Sequence, residues 1–252
     1  MSKIALITGA TAGIGEACAR LFASQKYDLI LLARRAERLD SLAETLSKEF
    51  GIKVKTVVAD VRDKAAVQKL ENLPEDWKKV DVLINNAGLS RGLDPINSGD
   101  TDDWDVMIDT NVKGLLYVTK VVSNWMINNS TGHIVNIGSI AGKETYINGN
   151  VYCATKYAVD SLNQAMRIDL LSHKIKVTGI HPGAVSTEFS EVRFKGDTER
   201  AKKVYDGFEP LHAQDIAEAI WFAVTRPAHV NINDMIVMAT AQANTTHLLR
   251  EI

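Results

Sequence analysis

The sequence has little of what staples, divides or strongly charges a chain. Only two of its 252 residues are cysteine. Cys18 and Cys153 each lie in a helical pattern without a CxxC or Cys/His neighbour, which excludes a disulfide framework and a zinc site and suits two small packing residues. There are five prolines and no Pro/Gly/Ser-rich tract, so no linker divides the chain. No apolar run approaches the roughly 18 to 20 residues of a membrane span. "MSKIALITGA" enters a strand with no charged-then-apolar leader, so the expected location is cytoplasmic, with no membrane partner. Neither charge sign dominates: 29 Lys and Arg are interspersed with 31 Asp and Glu, and no basic stripe marks a nucleic-acid partner.

What is present is an alternation. Apolar runs recur at "KIALITG" (3–9), "DLILLAR" (28–34), "VKTVVAD" (54–60), "VDVLINNAG" (80–88), "GHIVNIGS" (132–139), "IKVTGIHPG" (175–183) and "DMIVMA" (234–239). They are apolar on successive residues, as in strands buried on both faces. Helical periodicity fills most intervals, including 15–25, 37–50, 102–128, 150–170 and 215–225. This predicts an α/β fold in which a single Rossmann-like, doubly wound parallel sheet of about seven strands is flanked by helices, with residues 1–252 forming one dinucleotide-binding and catalytic domain. Two stretches interrupt the alternation, 89–101 and 184–211. The second is long and polar and follows a strand end, where such sheets place their ligands, and is expected to be a substrate loop.

"TGATAGIG" joins the first strand to the first helix, so Gly9, Thr11, Gly13, Ile14 and Gly15 are candidates for a turn opening on a phosphate. The spacing is GxxxGxG, distinct from GxGxxG. A carboxylate at the second strand's end would accept from a ribose 2′-hydroxyl, whereas guanidinium pairs with a 2′-phosphate. Arg34 and Arg35 stand there, with no acid until Glu37, which favours NADP. Asp60 and Val61 at the third strand end can hold an adenine edge. In "NNAG", the amides of Asn85 and Asn86 can satisfy backbone groups, while Ala87 and Gly88 allow close approach to a ribose.

Tyr152 and Lys156 are separated by one helical turn and can face one cleft. A free phenol, with a pKa of about 10, is a poor base near neutrality, and a nearby ammonium lowers that value. So tuned, it can exchange a proton with the oxygen of a carbonyl/alcohol pair. The spacing alone occurs on many surface helices. Joined in order by "TGATAGIG", "NNAG", Asn111 in the next helix, Ser139 after the fifth strand and "HPGAVSTEF", it resembles the short-chain dehydrogenase/reductase family over about residues 3–240. The resemblance implies that Tyr152 is the acid/base and that Ser139 hydrogen-bonds the substrate oxygen. It further implies that Lys156 tunes the tyrosine and holds the nicotinamide ribose, and that Asn111 fixes a water in a proton relay. Pro182, Gly183, Val185 and Thr187 would orient the nicotinamide and cap the diphosphate, and no metal is required. One departure is Ala12, where many NADP-using members carry a basic residue.

"ARRAERL", "TEFSEVRFKGD" and "RPAHVNIND" are similar to the NADP-dependent 3-hydroxy acid dehydrogenases, the serine/allo-threonine 3-dehydrogenase group. That implies a small anionic substrate, met by Ser139, Tyr152 and a cation. Arg193 is the first candidate for the cation, with Lys195 and Arg91 as others. The expected activity is oxidation at C3 of small 3-hydroxy acids or reduction of short acidic aldehydes, sulfonated ones included. Two alternatives are a reductase of 3-oxoacyl or other ketones and a non-catalytic dinucleotide sensor. Apolar surplus on the 102–128 and 150–170 helices suits a homotetramer or homodimer. His181 reads as packing, and "TAQANTTHLLREI" either lines a neighbour's cleft or frays.

Overall fold

The computed structural model describes residues 2–251. The first half is wound from β1 (Ile4–Thr8), α1 (Gly13–Ser24), β2 (Asp28–Ala33), α2 (Ala36–Phe50) and β3 (Val54–Val58). A short α3 (Lys64–Gln68) precedes β4 (Val82–Asn85). Next come α4 (Thr101–Ile108), a π-helical turn over Asp109–Gly114, α5 (Leu115–Asn129) and β5 (His133–Ile137). Then α6 (Asn150–Asp169) leads to β6 (Lys176–Pro182). The chain continues through β7 (Val185–Ser186), α7 (Phe189–Arg193), α8 (Thr198–Lys203), β8 (Leu211–His212), α9 (Ala213–Val224) and β9 (Asp234–Val237).

Seven strands form one parallel sheet in the order β3-β2-β1-β4-β5-β6-β9, as the alternation predicts. The order reverses between β1 and β4, which leaves a crevice beyond their carboxyl ends. Successive strand residues feed opposite faces. Leu6, Ile30 and Leu83 join Val118, Val122 and Val159 on one side, while Ile7, Leu31 and Ile84 meet Phe22, Leu39 and Ile220 on the other. Strands β1, β2, β4, β5 and β6 are buried almost throughout. The edge strands β3 and β9 depart from the expectation of burial on both faces, because each has only one neighbour and alternates with solvent.

Three stretches add detail to the expectation. The helix expected over 102–128 is present as α4, the π turn and α5 in unbroken succession, and the π turn points Asn111 inward. Within 184–211, β7 and β8 pair in a small parallel sheet and enclose the short helices α7 and α8. The described part of the C-terminal segment contacts its own chain: Glu251 N donates to Gly207 O at 2.7 Å and Arg250 Nη2 to Val204 O at 3.1 Å. Among the described residues no helix is long and apolar enough to cross a membrane.

Phe22 on α1 meets Tyr27 and Trp221 edge to face, at centroid distances of 5.1 and 5.2 Å. This triad seats α9 on α1. Phe22→Ala is expected to lower unfolding free energy by about 3 to 5 kcal/mol, read from the denaturant midpoint.

Candidate active site

The crevice is a cleft of about 320 Å³ running from the glycine loop to Tyr152. Gly9, Thr11, Gly13 and Ile14 line it, as do Arg34, Arg35, Asp60, Val61, Asn86, Ala87 and Gly88. Ser139, Tyr152, Lys156, Pro182, Gly183, Val185 and Thr187 complete its far end. Gly15, Asn111 and Arg193 lie just behind that lining.

The glycine loop owes its shape to two close approaches. Gly9 has φ +65, and a Cβ on Gly15 would lie 2.3 Å from Gly9 O, so α1 can begin directly against β1. Asn86 Nδ2 donates to Thr8 O at 2.9 Å and to Gly9 O at 3.3 Å, tying β4's end to the loop. The N-cap of α1, Ala12, supplies no side-chain acceptor, so the first-turn amides remain open to an anion in the cleft. Asn85 does not serve a backbone group. Its Nδ2 donates to Asn136 Oδ1 at 2.9 Å and Thr119 Oγ1 at 2.8 Å inside the sheet.

Tyr152 and Lys156 are both buried on the inner face of α6. Lys156 Nζ donates to Ile137 O at 2.9 Å, which fixes the ammonium at the end of β5. Burial alone drives its pKa down from 10.5 to about 8. Burial also pushes the Tyr152 phenol up, and the Arg193 guanidinium and a hydrogen bond with Ser139 oppose that rise. Lys156 Nζ lies 5.9 Å from the Tyr152 ring centroid, anchored on the strand carbonyl, and the Arg193 guanidinium lies 5.2 Å from the same ring. Ser139 lies two residues beyond β5 and caps a 3₁₀ turn, its Oγ accepting from Ala141 N at 3.1 Å. Asn111 braces the loop after β4, as Oδ1 accepts from Leu89 N and Nδ2 donates to Leu89 O, both at 2.8 Å.

Arg193, at the end of α7, stacks its guanidinium 5.2 Å from the Tyr152 ring and 5.1 Å from Phe189. Nη2 donates to Tyr146 Oη at 2.9 Å, while the buried Nε has no partner among the described residues. The rival cations are engaged elsewhere. Lys195 Nζ sits 2.8 Å from Asp103 and 3.2 Å from Asp100, and Arg91 is directed at Asp103, 3.8 Å away.

At the other end, Arg35 Nε and Nη2 donate to Thr11 Oγ1 and O at 3.2 and 3.0 Å. Arg35 Nη1 pairs with Glu188 at 2.8 Å, and Arg38 Nη1 with the same carboxylate at 2.7 Å. Asp60 accepts a forked contact from Arg62 and faces Arg34 at 3.7 Å, so its carboxylate is less free for an adenine than expected. Sequence reasoning missed Tyr146, Phe189, Glu188 and Arg38, because each reaches the site through a contact that no motif spacing encodes. His181 is packing, buried with Nε2 3.0 Å from Asp234. The acids beside it, Asp160 and Asp234, are matched by Lys143 and Arg167.

The buried lysine has a measurable consequence. Unfolded, it keeps its proton up to about 10.5; folded, only to about 8. Between those values the unfolded state binds more protons, so this group's contribution to stability grows as pH rises from about 8 toward 10. Above pH 10 the raised Tyr152 pKa acts in the opposite sense. The ligand-free protein should gain about 2 to 3 kcal/mol over that window relative to Lys156→Met, measured by urea unfolding; parallel curves for the two proteins would contradict the assignment.

Comparison with known proteins agrees with this architecture. Residues 3–198 match the family described as short chain dehydrogenase. The chain is 47% identical over 242 residues to the NADP-dependent 3-hydroxy acid dehydrogenase YdfG of Salmonella typhi, covering 95% of this chain and 96% of that one. It is 46% identical over 245 residues to sulfoacetaldehyde reductase 2 of Chromohalobacter salexigens, covering 96% of each. Among solved structures, the closed form of a serine dehydrogenase complexed with NADP+ superposes with a TM-score of 0.91 at 43% identity, covering 99% of this chain and 100% of that one. With the family match and both relatives spanning the sheet and the cleft, the chain belongs to the short-chain dehydrogenase family of oxidoreductases.

Proposed function

We propose that this protein is an NADP-dependent oxidoreductase that interconverts the C3 hydroxyl and carbonyl of small 3-hydroxy acids of the serine, allo-threonine and 3-hydroxypropanoate type, or reduces related short acidic aldehydes, including sulfonated ones. The observation that carries it is Arg193, a guanidinium with an unpartnered buried Nε stacked over Tyr152. A substrate whose reacting oxygen meets the phenol would place a carboxylate or sulfonate two or three bonds away against that cation. The names of the relatives point the same way.

The residues fit a 2′-phosphorylated dinucleotide. The first turn of α1 leaves its amides open to the diphosphate, and Arg34 and Arg35 line the cleft where the 2′-phosphate would lie. When bound, the cofactor supplies or accepts the hydride. The chain's own residues do the rest. Tyr152 moves the proton at the substrate oxygen, and Ser139 donates a hydrogen bond to that oxygen. Lys156 holds the nicotinamide ribose. Asn111 Oδ1 and Lys156 Nζ flank one point beside Gly88, 3.3 and 3.5 Å from where a Cβ there would lie. A water at that point could touch both and carry the proton away from the phenol. Pro182, Gly183, Val185 and Thr187 border the nicotinamide side, and residues 184–211 act as the substrate loop of one dinucleotide-binding and catalytic unit. Phe189 and Val192 line the cleft beside Tyr152 and exclude water.

A ketone reductase remains the reading to test against, since Phe189 and Val192 give the cleft beside Tyr152 an apolar lining, with Tyr146 and Trp104 packed on the same cluster. We assign the protein to the cytoplasm, where two buried free cysteines stay reduced. Its assembly is a homotetramer or homodimer, supported by exposed Leu116, Tyr157, Ile168 and Leu171 on and beside α5 and α6.

Purified enzyme should show NADP(H)-coupled turnover on at least one of serine, allo-threonine, 3-hydroxypropanoate and a sulfonated aldehyde. Arg193→Ala should lower kcat/KM on the acid by about 10- to 150-fold, the loss of a charged hydrogen bond. An uncharged ketone should lose much less, only what the change in the phenol's proton affinity costs. Turnover of none of the four, or an indifferent variant, would sink the assignment.

A further inference from the structure

The wall of the proposed cofactor cleft contains a carboxylate. Glu188, immediately before α7, lines the cleft together with Arg34 and Arg35. Its two oxygens are divided between two cations, Oε2 on Arg35 at 2.8 Å and Oε1 on Arg38 at 2.7 Å. Arg35 is thereby fully engaged, for its Nε and Nη2 already contact Thr11 and its Nη1 contacts Glu188. Arg34 is different. Its side chain is 61% exposed and, among the described residues, its one carboxylate contact is Asp60 at 3.7 Å, so it can turn toward a ligand at little cost.

The ion pairs at this end of the cleft set Arg34 and Arg62 against Asp60, with Asp109 also acting on Arg62, and Arg35 and Arg38 against Glu188. Neutralising Glu188 would leave one more positive charge for a phosphate monoester to meet. A dianion arriving beside Arg35 must share that guanidinium with Glu188 or displace it, and it meets like-charge repulsion while doing so.

We propose that Glu188 is a specificity-determining residue, an internal anion that competes with the cofactor's 2′-phosphate for Arg35 and Arg38 and so moderates how tightly the phosphorylated cofactor is held. The proposal rests on the NADP assignment above. It also gives the carboxylate a use: where cofactor release limits turnover, a site that holds the phosphate less tightly turns over faster.

The test is calorimetric binding of 2′-AMP, which carries the phosphate in question, and 5′-AMP, which lacks it. Wild-type protein should prefer 2′-AMP. Glu188→Gln keeps the shape and one of the two acceptors but removes the charge. It should bind 2′-AMP about three- to fivefold more tightly, the effect of one half-exposed ion pair, with 5′-AMP unchanged. Arg38→Gln should weaken 2′-AMP binding more in the Glu188→Gln background than in wild type, because there Arg38 is no longer shared. Unchanged or weaker 2′-AMP binding by Glu188→Gln, with the wild-type preference intact, would overturn the role of Glu188 alone. A wild-type protein that binds the two nucleotides equally would overturn the NADP assignment and this inference with it.

Discussion

Two titratable side chains are buried one helical turn apart at the end of a parallel sheet, and the cost of charging them there orders the rest of the site. Lys156 can sit in the interior because a strand carbonyl, Ile137 O, accepts from it. Tyr152 stays protonated because burial outweighs the charges around it. Both are held in place by the packing of α6, whose inner face carries Cys153, Thr155, Val159 and Met166. Asn111, projecting from the π turn, clamps the neighbouring strand-end loop and donates to Thr155 at 3.0 Å, so the loop and the helix keep one register.

The second half of the site is delivered by the segment after β6. It is pinned at three places: Glu188 to Arg35 and Arg38, Lys195 to Asp100 and Asp103, and Val204, Asp206 and Gly207 to the C-terminal Arg250 and Glu251. Each pin alone is a surface contact of modest worth. Together they hold α7 so that Arg193 reaches Tyr152, where its guanidinium opposes the rise in the phenol's pKa.

Much of this was legible in the sequence, for definable reasons. Central strands announce themselves by continuous apolar runs because both faces are covered, and the glycine loop and the Tyr152/Lys156 spacing are local patterns. The edge exposure of β3 and β9 was hidden because strand order, not composition, decides which strands lack a neighbour. The π turn was hidden because its one-residue excess leaves helical periodicity almost intact. Arg38 with Glu188, and Arg193 with Tyr146, lie far apart along the chain. Such pairs follow from the fold and carry no spacing of their own. The direction of Lys156 toward Ile137 is likewise a tertiary choice.

The central claim is that Arg193 acts on the Tyr152 phenol across the cleft. It is tested most directly by the pH dependence of alcohol oxidation in single turnover, with cofactor and substrate saturating, in wild type and Arg193→Met. Loss of the guanidinium should move the pH profile of the basic group to higher pH. Superimposable profiles would contradict the account.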